Sequence, residues 1–365
     1  MASIDKSKKK KLIIIGVIIL YLVIFVPIGM MLYSSYPDII PGSNGFKYIV
    51  SEDGKTCAIT GLAFGNNNKD IVIPSVIGNH TVTSISNSAF EGSRIQTVTI
   101  PSTITSIGSR AFANCESLTA VYGLENCIGL RQILGYTFYL CKELKTVQLP
   151  PKLIYIGEEA FSNCYVLQTI SFPATLKTID QGAFVGCLKL SNVQFPNSIT
   201  KFGPAAFGMC NTLTEVLIPP LVENYDMGVF IGCESLTSIL VGDDNDFASS
   251  VDGILYNHNK RTLWCYPAGK TAKQFVVPDG VTKLGSCSFA YNNHLETLYV
   301  PSSVKTLNAN IFFESPNFKS LYYDGTVEEW LSIKKDSIWN DESSSFTIYC
   351  TDGTIAKDGT ITHYQ

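Results

Sequence analysis

The chain has 365 residues, of which 27 are basic and 31 acidic, so its formal net charge is −4. Met1–Lys11 holds five of the lysines and one aspartate, which leaves 22 basic and 30 acidic residues, a net charge of −8, in the remainder. Such a mildly acidic chain lacks the basic stripe of a nucleic-acid-binding protein, so we expect no nucleic acid among its partners.

The first 45 residues predict a membrane anchor. Residues 1–11 form a basic tail, Leu12–Leu32 is a run of 21 residues without a charge, and residues 33–45 form a short tether. A helix of that length spans roughly 30 Å, the thickness of a bilayer core. Because five lysines precede the run and none follows until Lys47, the N-terminus is predicted to be cytoplasmic and the rest of the chain extracellular.

The competing interpretation of this segment is a cleaved signal peptide. The apolar region of a signal peptide usually has only about 7–15 residues and ends at a small-x-small site. Here the apolar run is longer and continues into GMMLYSSYP, which favours an uncleaved anchor. We therefore expect a single-pass membrane protein whose main part lies at the cell surface.

A β-hairpin is expected directly after the tether, within residues 46–73. Apolar side chains alternate at Phe46, Tyr48 and Val50, and a turn follows at Glu52–Gly54. Alternation of period two is typical of a strand with one buried face. Such a hairpin would cover the open end of the first repeat, as the terminal units of repeat proteins must.

A phenylalanine recurs along the chain at an almost constant interval. Most neighbours are 22 to 26 residues apart, one interval is 59, and the members are Phe90, Phe112, Phe138, Phe161, Phe184, Phe207, Phe230, Phe289 and Phe312. A period in the low twenties is typical of a solenoid, whose function usually resides on a long surface. The predicted fold is an α/β solenoid of ~23-residue repeats, rich in β-strands with short helical turns, preceded by one transmembrane helix. The phenylalanines are its predicted core. Phe346 lies outside this register, so replacing it with alanine is expected to lower stability less than the same change at a repeat phenylalanine such as Phe184.

Residues 144–164 show how one repeat is built. Val147 and Leu149 alternate in a first short strand, and a second short strand is expected around Ile156. Glu158–Ser162 is expected to form one turn of helix that carries the repeat phenylalanine. Neighbouring repeats, about 4.8 Å apart where their strands pair, would bury a continuous apolar column.

The interval of 59 residues predicts an insertion at residues 242–275. The segment GILYNHNKRTLWCYP has two apolar runs around a polar tip at Asn257–Lys260, which is typical of a β-hairpin. Residues 320–355 are expected to form the C-terminal end of the solenoid, and residues 356–365 a tail.

The order of residues within the repeats resembles the BspA-like leucine-rich repeat family. The matching segments are TIPSTITSIGSRAFANCESLTAV (99–121), QLPPKLIYIGEEAFSNCYVLQTI (148–170), SFPATLKTIDQGAFVGCLKLSNV (171–193) and QFPNSITKFGPAAFGMCNTLTEV (194–216). Residues 250–270 are similar to the family's inserted hairpin, and residues 321–333 with 348–355 to its C-terminal end. The resemblance implies a curved leucine-rich-repeat solenoid over residues 46–355 at a cell surface, associated with adhesion and with binding of host or matrix proteins.

Six of the eleven cysteines occupy one register of the repeat, three residues after a phenylalanine. Equivalent Cβ atoms of adjacent repeats stay about 5 Å apart, whereas a disulfide bond brings them to about 3.8 Å. We therefore interpret the six as small buried hydrophobic residues without disulfide bonds: Cys115, Cys141, Cys164, Cys187, Cys210 and Cys233. The pairing of the other five is left open.

Motifs for catalysis or metal binding are missing from the sequence. It contains no HExxH pair, nucleophile elbow or phosphate-binding glycine loop. Asp243, Asp244 and Asp246 suggest calcium, but they lack the spacing and the distal glutamate of an EF-hand, so a solvated loop is favoured. We expect no enzyme activity, metal or cofactor; an enzyme would need a constellation of side chains that only folding brings together.

Two other functions remain open. The favoured one is a membrane-anchored binding or adhesion module for a protein on a host, matrix or neighbouring-cell surface. The alternative is a structural spacer of the cell envelope without a dedicated ligand, which predicts a featureless polar strand face.

The candidate binding surface is the outward face of the first strands. In the middle repeats the outward residues are small and polar, but toward the C-terminus they become apolar or aromatic at Leu217, Leu240, Tyr299 and Tyr322. Exposed apolar and tyrosine side chains are typical of protein-binding sites. Two alternatives remain: leucine and tyrosine merely suit strands, or the inserted hairpin folds over these residues and buries them.

Overall fold

The computed structural model describes residues 45–223 and 228–365. The strands of the first half are β1 (Phe46–Val50), β2 (Thr56–Leu62), β3 (Asp70–Val72), β4 (Val76–Ile77), β5 (His80–Ile85), β6 (Thr97–Thr99), β7 (Ser106–Ile107), β8 (Ala120–Tyr122), β9 (Gln132–Ile133), β10 (Thr146–Val147), β11 (Tyr155–Ile156), β12 (Thr169–Ser171), β13 (Thr178–Ile179), β14 (Asn192–Gln194) and β15 (Lys201–Phe202). A short 3₁₀ turn, Leu124–Asn126, lies between β8 and β9.

The strands of the second half are β16 (Glu215–Ile218), β17 (Ser238–Val241), β18 (Ala248–Val251), β19 (Ile254–Asn257), β20 (Thr262–Cys265), β21 (Gln274–Val276), β22 (Lys283–Leu284), β23 (Thr297–Pro301), β24 (Thr306–Leu307), β25 (Ser320–Asp324), β26 (Lys334–Lys335), β27 (Thr347–Cys350), β28 (Gly353–Ile355) and β29 (Ile361–His363). One α-helix, α1 (Val327–Ser332), lies between β25 and β26 and begins with a capping box formed by Thr326 and Glu329.

The predicted tail at 1–11, the predicted membrane helix at Leu12–Leu32 and residues 33–44 of the predicted tether lie outside the described residues. Within the two described ranges, no helix combines the length and the apolar character needed to cross a bilayer.

Each regular repeat contributes two short strands that pair in parallel with the equivalent strands of its neighbours. The first strands form the sheets β14-β12-β10-β8-β6-β3, β16-β17 and β21-β23-β25-β27, which we call the first ladder. The second strands form β15-β13-β11-β9 and β20-β22-β24-β26, the second ladder. Equivalent residues pair directly, as Ile156 does with Ile179. The predicted β-solenoid is therefore confirmed.

The segment around each repeat phenylalanine is a series of turns, so the predicted helical turn was wrong. Beside Phe161, Glu159 and Asn163 have φ angles of 48° and 59°. The N–H groups of these three residues donate to carbonyl groups of the next repeat, while those of Ala160 and Ser162 donate within the turn. Alternating left-handed residues interrupt the dihedral angles that a helix requires and let every second N–H reach the neighbouring repeat.

The repeat phenylalanines stack into a buried column. From Phe90 to Phe230 the ring centroids of neighbours are 5.1 to 5.9 Å apart. In the long interval Tyr266 takes the equivalent place, 5.3 Å from Phe289. Phe346, which lies outside the phenylalanine register, is buried and packs edge-to-face on Phe312 at 5.6 Å. The C-terminal end therefore adds an aromatic residue of its own to the column. This burial argues against the smaller effect expected of replacing Phe346, which stays a prediction about stability.

The cysteines of the repeat pack in the core and also form hydrogen bonds between repeats. All eleven cysteines lie within the described residues, and none forms a disulfide bond. Each of the six in register points its Sγ atom at the carbonyl oxygen of the phenylalanine one repeat earlier, at 3.0 to 3.4 Å. Burial raises the pKa of these thiols, to about 12 at Cys187. They therefore remain neutral donors that link adjacent repeats.

The two predicted hairpins are both present as antiparallel strands. β1 and β2 pair at the N-terminal end, where Phe46 contacts Phe90 edge-to-face at 6.3 Å. The insertion contains three strands, because β18 also pairs with β19 around a turn at residues 252–253. Asn245, between the exposed aspartates that suggested calcium, is buried, and its amide donates to the carbonyl of Pro219 at 2.9 Å. This loop is thus anchored to the solenoid.

Candidate binding surface

Four outward side chains on adjacent strands of the first ladder form a continuous row. Val276 pairs in register with Tyr299, Tyr299 with Tyr322, and Tyr322 with Tyr349. The rings of Tyr299 and Tyr322 stack with centroids 5.1 Å apart, and those of Tyr322 and Tyr349 at 4.6 Å. We call Val276, Tyr299, Tyr322 and Tyr349 the tyrosine row.

The row is exposed to solvent along its length. Val276 is 65% exposed and Tyr322 is 39% exposed, while Tyr299 and Tyr349 are half-buried against their neighbours. Desolvation, with the adjacent Tyr349 and Tyr299, raises the pKa of the Tyr322 hydroxyl. The stacked rings cover one another's faces, so the row presents ring edges and hydroxyl groups to a partner.

Strand alternation explains why these side chains point outward. On β25, Leu321 and Tyr323 are buried in the core, so Tyr322 between them faces away from it. In β23, Leu298 and Val300 are buried and leave Tyr299 on the outer face. Parallel pairing without a shift in register then places the outward residues side by side.

The two predicted leucines form a separate pair. Leu217 of β16 pairs with Leu240 of β17, and the side chains are 59% and 39% exposed. The inserted hairpin leaves both exposed, since its turn packs beside β17, where the N–H of Ile239 donates to the carbonyl of Gly253. The structure therefore brings the four predicted residues together as two pairs, Leu217 with Leu240 and Tyr299 with Tyr322, on different sheets.

A groove of about 360 Å³ runs along the C-terminal ends of β21, β23 and β25. Its lining includes Val276, Tyr299 and Tyr322 of the row together with the carboxylates of Asp279 and Asp324. These carboxylates supply hydrogen-bond acceptors and negative charge next to an aromatic surface.

Ion pairs lie at the opposite, N-terminal ends of the same strands. The carboxylate of Glu296 contacts the Nζ atoms of Lys273 at 2.9 Å and of Lys319 at 3.0 Å, which connects three consecutive repeats. Hydrogen bonds from Lys273 and then Lys319 lower the pKa of Glu296. Because these groups are largely exposed, they orient the strand ends more than they stabilise the fold.

Residues 45–223 and 228–365 contain no group of three or more His, Cys, Asp or Glu side chains that could hold a metal ion. The arrangement on the first ladder can bind another surface through apolar edges, hydroxyl groups and carboxylates.

The matches to known proteins follow the repeats. The model of the BspA type leucine rich repeat region matches six copies, over residues 53–132, 131–251 and 265–351. The chain belongs to this family. The family resemblance inferred from the repeat segments is thereby confirmed, and leucine-rich-repeat solenoids are typically non-catalytic. No curated protein matches the chain.

Solved structures with the same fold come from bacteria. A leucine rich cell surface protein of Faecalibacterium prausnitzii is 24% identical, with a TM-score of 0.65 over 82% of this chain and 98% of its own. The pneumococcal vaccine antigen PcpA is 21% identical, with a TM-score of 0.54 over 86% of this chain and 88% of its own. At these identities the comparison establishes the BspA-type fold alone.

Sequence reasoning missed two members of the tyrosine row. Val276 lies two residues before Pro278, as Tyr299 does before Pro301, so the proline register was sufficient to find it. Tyr349 lies 27 residues after Tyr322, because α1 lengthens the last repeat, and the repeat spacing alone does not reach it.

Proposed function

We propose that this BspA-type protein is a non-catalytic surface protein that binds a protein partner through the tyrosine row and the Leu217–Leu240 pair. The observation that carries the proposal is the row itself, in which three stacked tyrosines and an exposed valine lie side by side on adjacent strands. Tyrosine is enriched among the residues that dominate binding energy, and ordered side chains lose little entropy on binding.

The purely structural alternative predicts a strand face without such a feature. The outward residues of the middle repeats fit that description, since Thr169, Ser171, Asn192 and Gln194 are all polar and exposed. The C-terminal half departs from it. A spacer gains nothing from exposed tyrosine and leucine, which favour unwanted association.

We further propose that residues 12–32 anchor the chain in a membrane with its N-terminus in the cytoplasm. Support comes from the uncharged run of 21 residues and the five lysines before it. Related structures include one described as a cell surface protein, in Faecalibacterium prausnitzii, and one described as a vaccine antigen, which agrees with a location on the cell exterior. On this view the solenoid projects from the cell surface and presents the tyrosine row to adhesion partners.

Two measurements test this function. Protease applied to intact cells should remove the repeats and spare the extreme N-terminus, whereas a mature protein that starts after residue 32 would replace the anchor with a secreted form. Cells displaying the full-length chain, screened against matrix proteins, host surface proteins and glycans, should retain a protein. Retention of a glycan alone, or of nothing, would contradict the proposed partner class.

A further inference from the structure

The first ladder is interrupted at the insertion. β17 ends one sheet and β21 begins the next, and no strand of the described residues pairs with both. The turn at residues 252–253 packs against β17 and satisfies the N–H of Ile239. On the other side of the interruption, β21 pairs with β23 alone among the described strands, so its other edge is open.

The backbone of β21 directs hydrogen-bonding groups toward this open edge. The carbonyl of Lys273 accepts from Thr297 and the N–H of Val277 donates to Tyr299, so these two residues face β23. Because backbone groups of alternate residues in a parallel strand point to opposite sides, those of Gln274 and Val276 point away from β23. They form the unpaired row that a strand edge offers to another chain.

A groove of about 460 Å³ lies beside β21, which contributes Phe275 to its lining. Its apolar lining also includes Ile254, Tyr266 and Ala272, and its polar rim includes Asp252 and Lys270. Tyr266 and Phe275 contact each other with ring centroids 4.8 Å apart, so the floor is aromatic. A strand lying in the groove would point alternate side chains at this floor and at solvent.

We infer that this groove binds an extended segment of the partner protein, which adds to β21 as a further strand. This inference rests on the proposed binding function and names the partner's chemistry: a peptide with apolar residues at alternate positions. Main-chain hydrogen bonds to Gln274 and Val276 hold the segment, and its inward apolar side chains meet Phe275. Its outward side chains lie beside Val276 and so extend the tyrosine row by one strand.

Two features of the structure favour a peptide over a folded surface. The groove lies between the hairpin turn, which contributes Asp252, and β21, which contributes Phe275, and its volume fits a few side chains. The open edge also adjoins the tyrosine row, because both include Val276 of β21, which is 65% exposed. One partner therefore contacts the edge and the row together.

The test uses the full-length chain in detergent micelles and a phage-displayed library of linear peptides of about 12 residues, longer than a typical strand. Val276→Pro removes an N–H that points to the open edge and leaves the hydrogen bonds between β21 and β23 in place. The matched control, Val276→Thr, keeps the N–H and a β-branched side chain. We expect selected peptides to alternate apolar residues and to lose at least about tenfold in affinity with the proline variant only.

Hydrogen exchange of the unmodified chain supplies a readout that does not depend on the proline variant folding. Bound peptide should slow exchange at the amides of Gln274 and Val276. Unchanged exchange there, equal affinity for the proline and threonine variants, or failure to select any peptide would overturn the inference.

A four-serine variant, with Leu217, Leu240, Tyr299 and Tyr322 all replaced by serine, separates this inference from the proposed function. If the four-serine variant loses affinity for the partner protein while Val276→Pro keeps it, the proposed surface stands and the inference about the β21 edge is overturned. If Val276→Pro loses that affinity while the four-serine variant keeps it, the β21 edge is supported and the proposed surface is contradicted.

Discussion

The Sγ atom of Cys187 lies 3.3 Å from the carbonyl oxygen of Phe161, one repeat earlier, and donates a hydrogen bond to it. In a later repeat the hydroxyl of Ser315 makes the equivalent bond to Phe289 at 2.9 Å. At the six cysteines in register and at Ser315, the position three residues after a phenylalanine therefore holds a small side chain that donates to the carbonyl of the preceding phenylalanine in the column.

This contact predicts the effect of replacing one thiol. Cys187→Ala should lower the free energy of unfolding by only about 1–2 kcal/mol, since it removes one weak hydrogen bond and a sulfur atom. Cys187→Ser keeps a hydrogen-bond donor and should lower the free energy of unfolding by less than the alanine variant does. Urea unfolding curves compare the three proteins; a loss above about 4 kcal/mol for alanine would mean that the thiol has a larger role.

The buried thiols also predict how stability changes at high pH. Burial raises the pKa of Cys187 from 9.0 to about 12, and that of Cys115 to about 11. A thiol whose pKa is raised by folding contributes its full stabilisation below pH 9, the pKa of the unfolded state. This contribution is lost as the pH rises through the pKa of the folded state. The urea concentration at the unfolding midpoint should therefore decrease as the pH rises above 9, and this decrease should be smaller in Cys187→Ser. A midpoint that stays constant up to pH 11 would contradict this.

The phenylalanine column predicts a large effect at its centre. Phe184 is fully buried and stacks at 5.2 Å on both Phe161 and Phe207. Phe184→Ala should cost about 3–5 kcal/mol through lost burial and a cavity. The control is Phe64→Ala, because Phe64 is almost fully exposed and should change stability by less than about 0.5 kcal/mol. Equal shifts in melting temperature would show that the column is misplaced.

The left-handed positions predict a stabilising substitution. Ala205 has a φ angle of 50°, and the equivalent residues of neighbouring repeats are Gly182 and Gly228. Ala205→Gly should relieve backbone strain and raise the free energy of unfolding by up to about 1 kcal/mol. The adjacent Ala206→Gly, at a position without positive φ, should lower it by a similar amount. If both glycines destabilise equally, the left-handed conformation contributes little strain.

Much of the solenoid was predictable because the same residue types recur at the same positions of each repeat. Proline marks where each first strand ends, and phenylalanine marks the turn that follows, so strand positions such as Tyr155–Ile156 and Thr169–Ser171 follow from spacing. The outward direction of Tyr299 and Tyr322 followed from alternation alone.

The remainder depends on contacts between repeats that no single repeat specifies. Leu140 and Glu159 adopt left-handed angles that their side chains disfavour, because hydrogen bonds to the next repeat hold them there. Local sequence therefore favoured a helical turn that the stack does not allow. The open edge of β21 likewise arises only once the insertion has packed beside β17.

The central claim is that the apolar and tyrosine side chains of the C-terminal half bind the partner. The most direct measurement is the affinity of the four-serine variant for the protein recovered in the surface screen. Its matched control carries serine at four outward positions of the middle repeats, Thr146, Gln148, Thr169 and Gln194. We predict that the four-serine variant loses at least about tenfold in affinity, or 1.4 kcal/mol, while the control binds normally. Unchanged affinity in a folded four-serine variant would contradict the account.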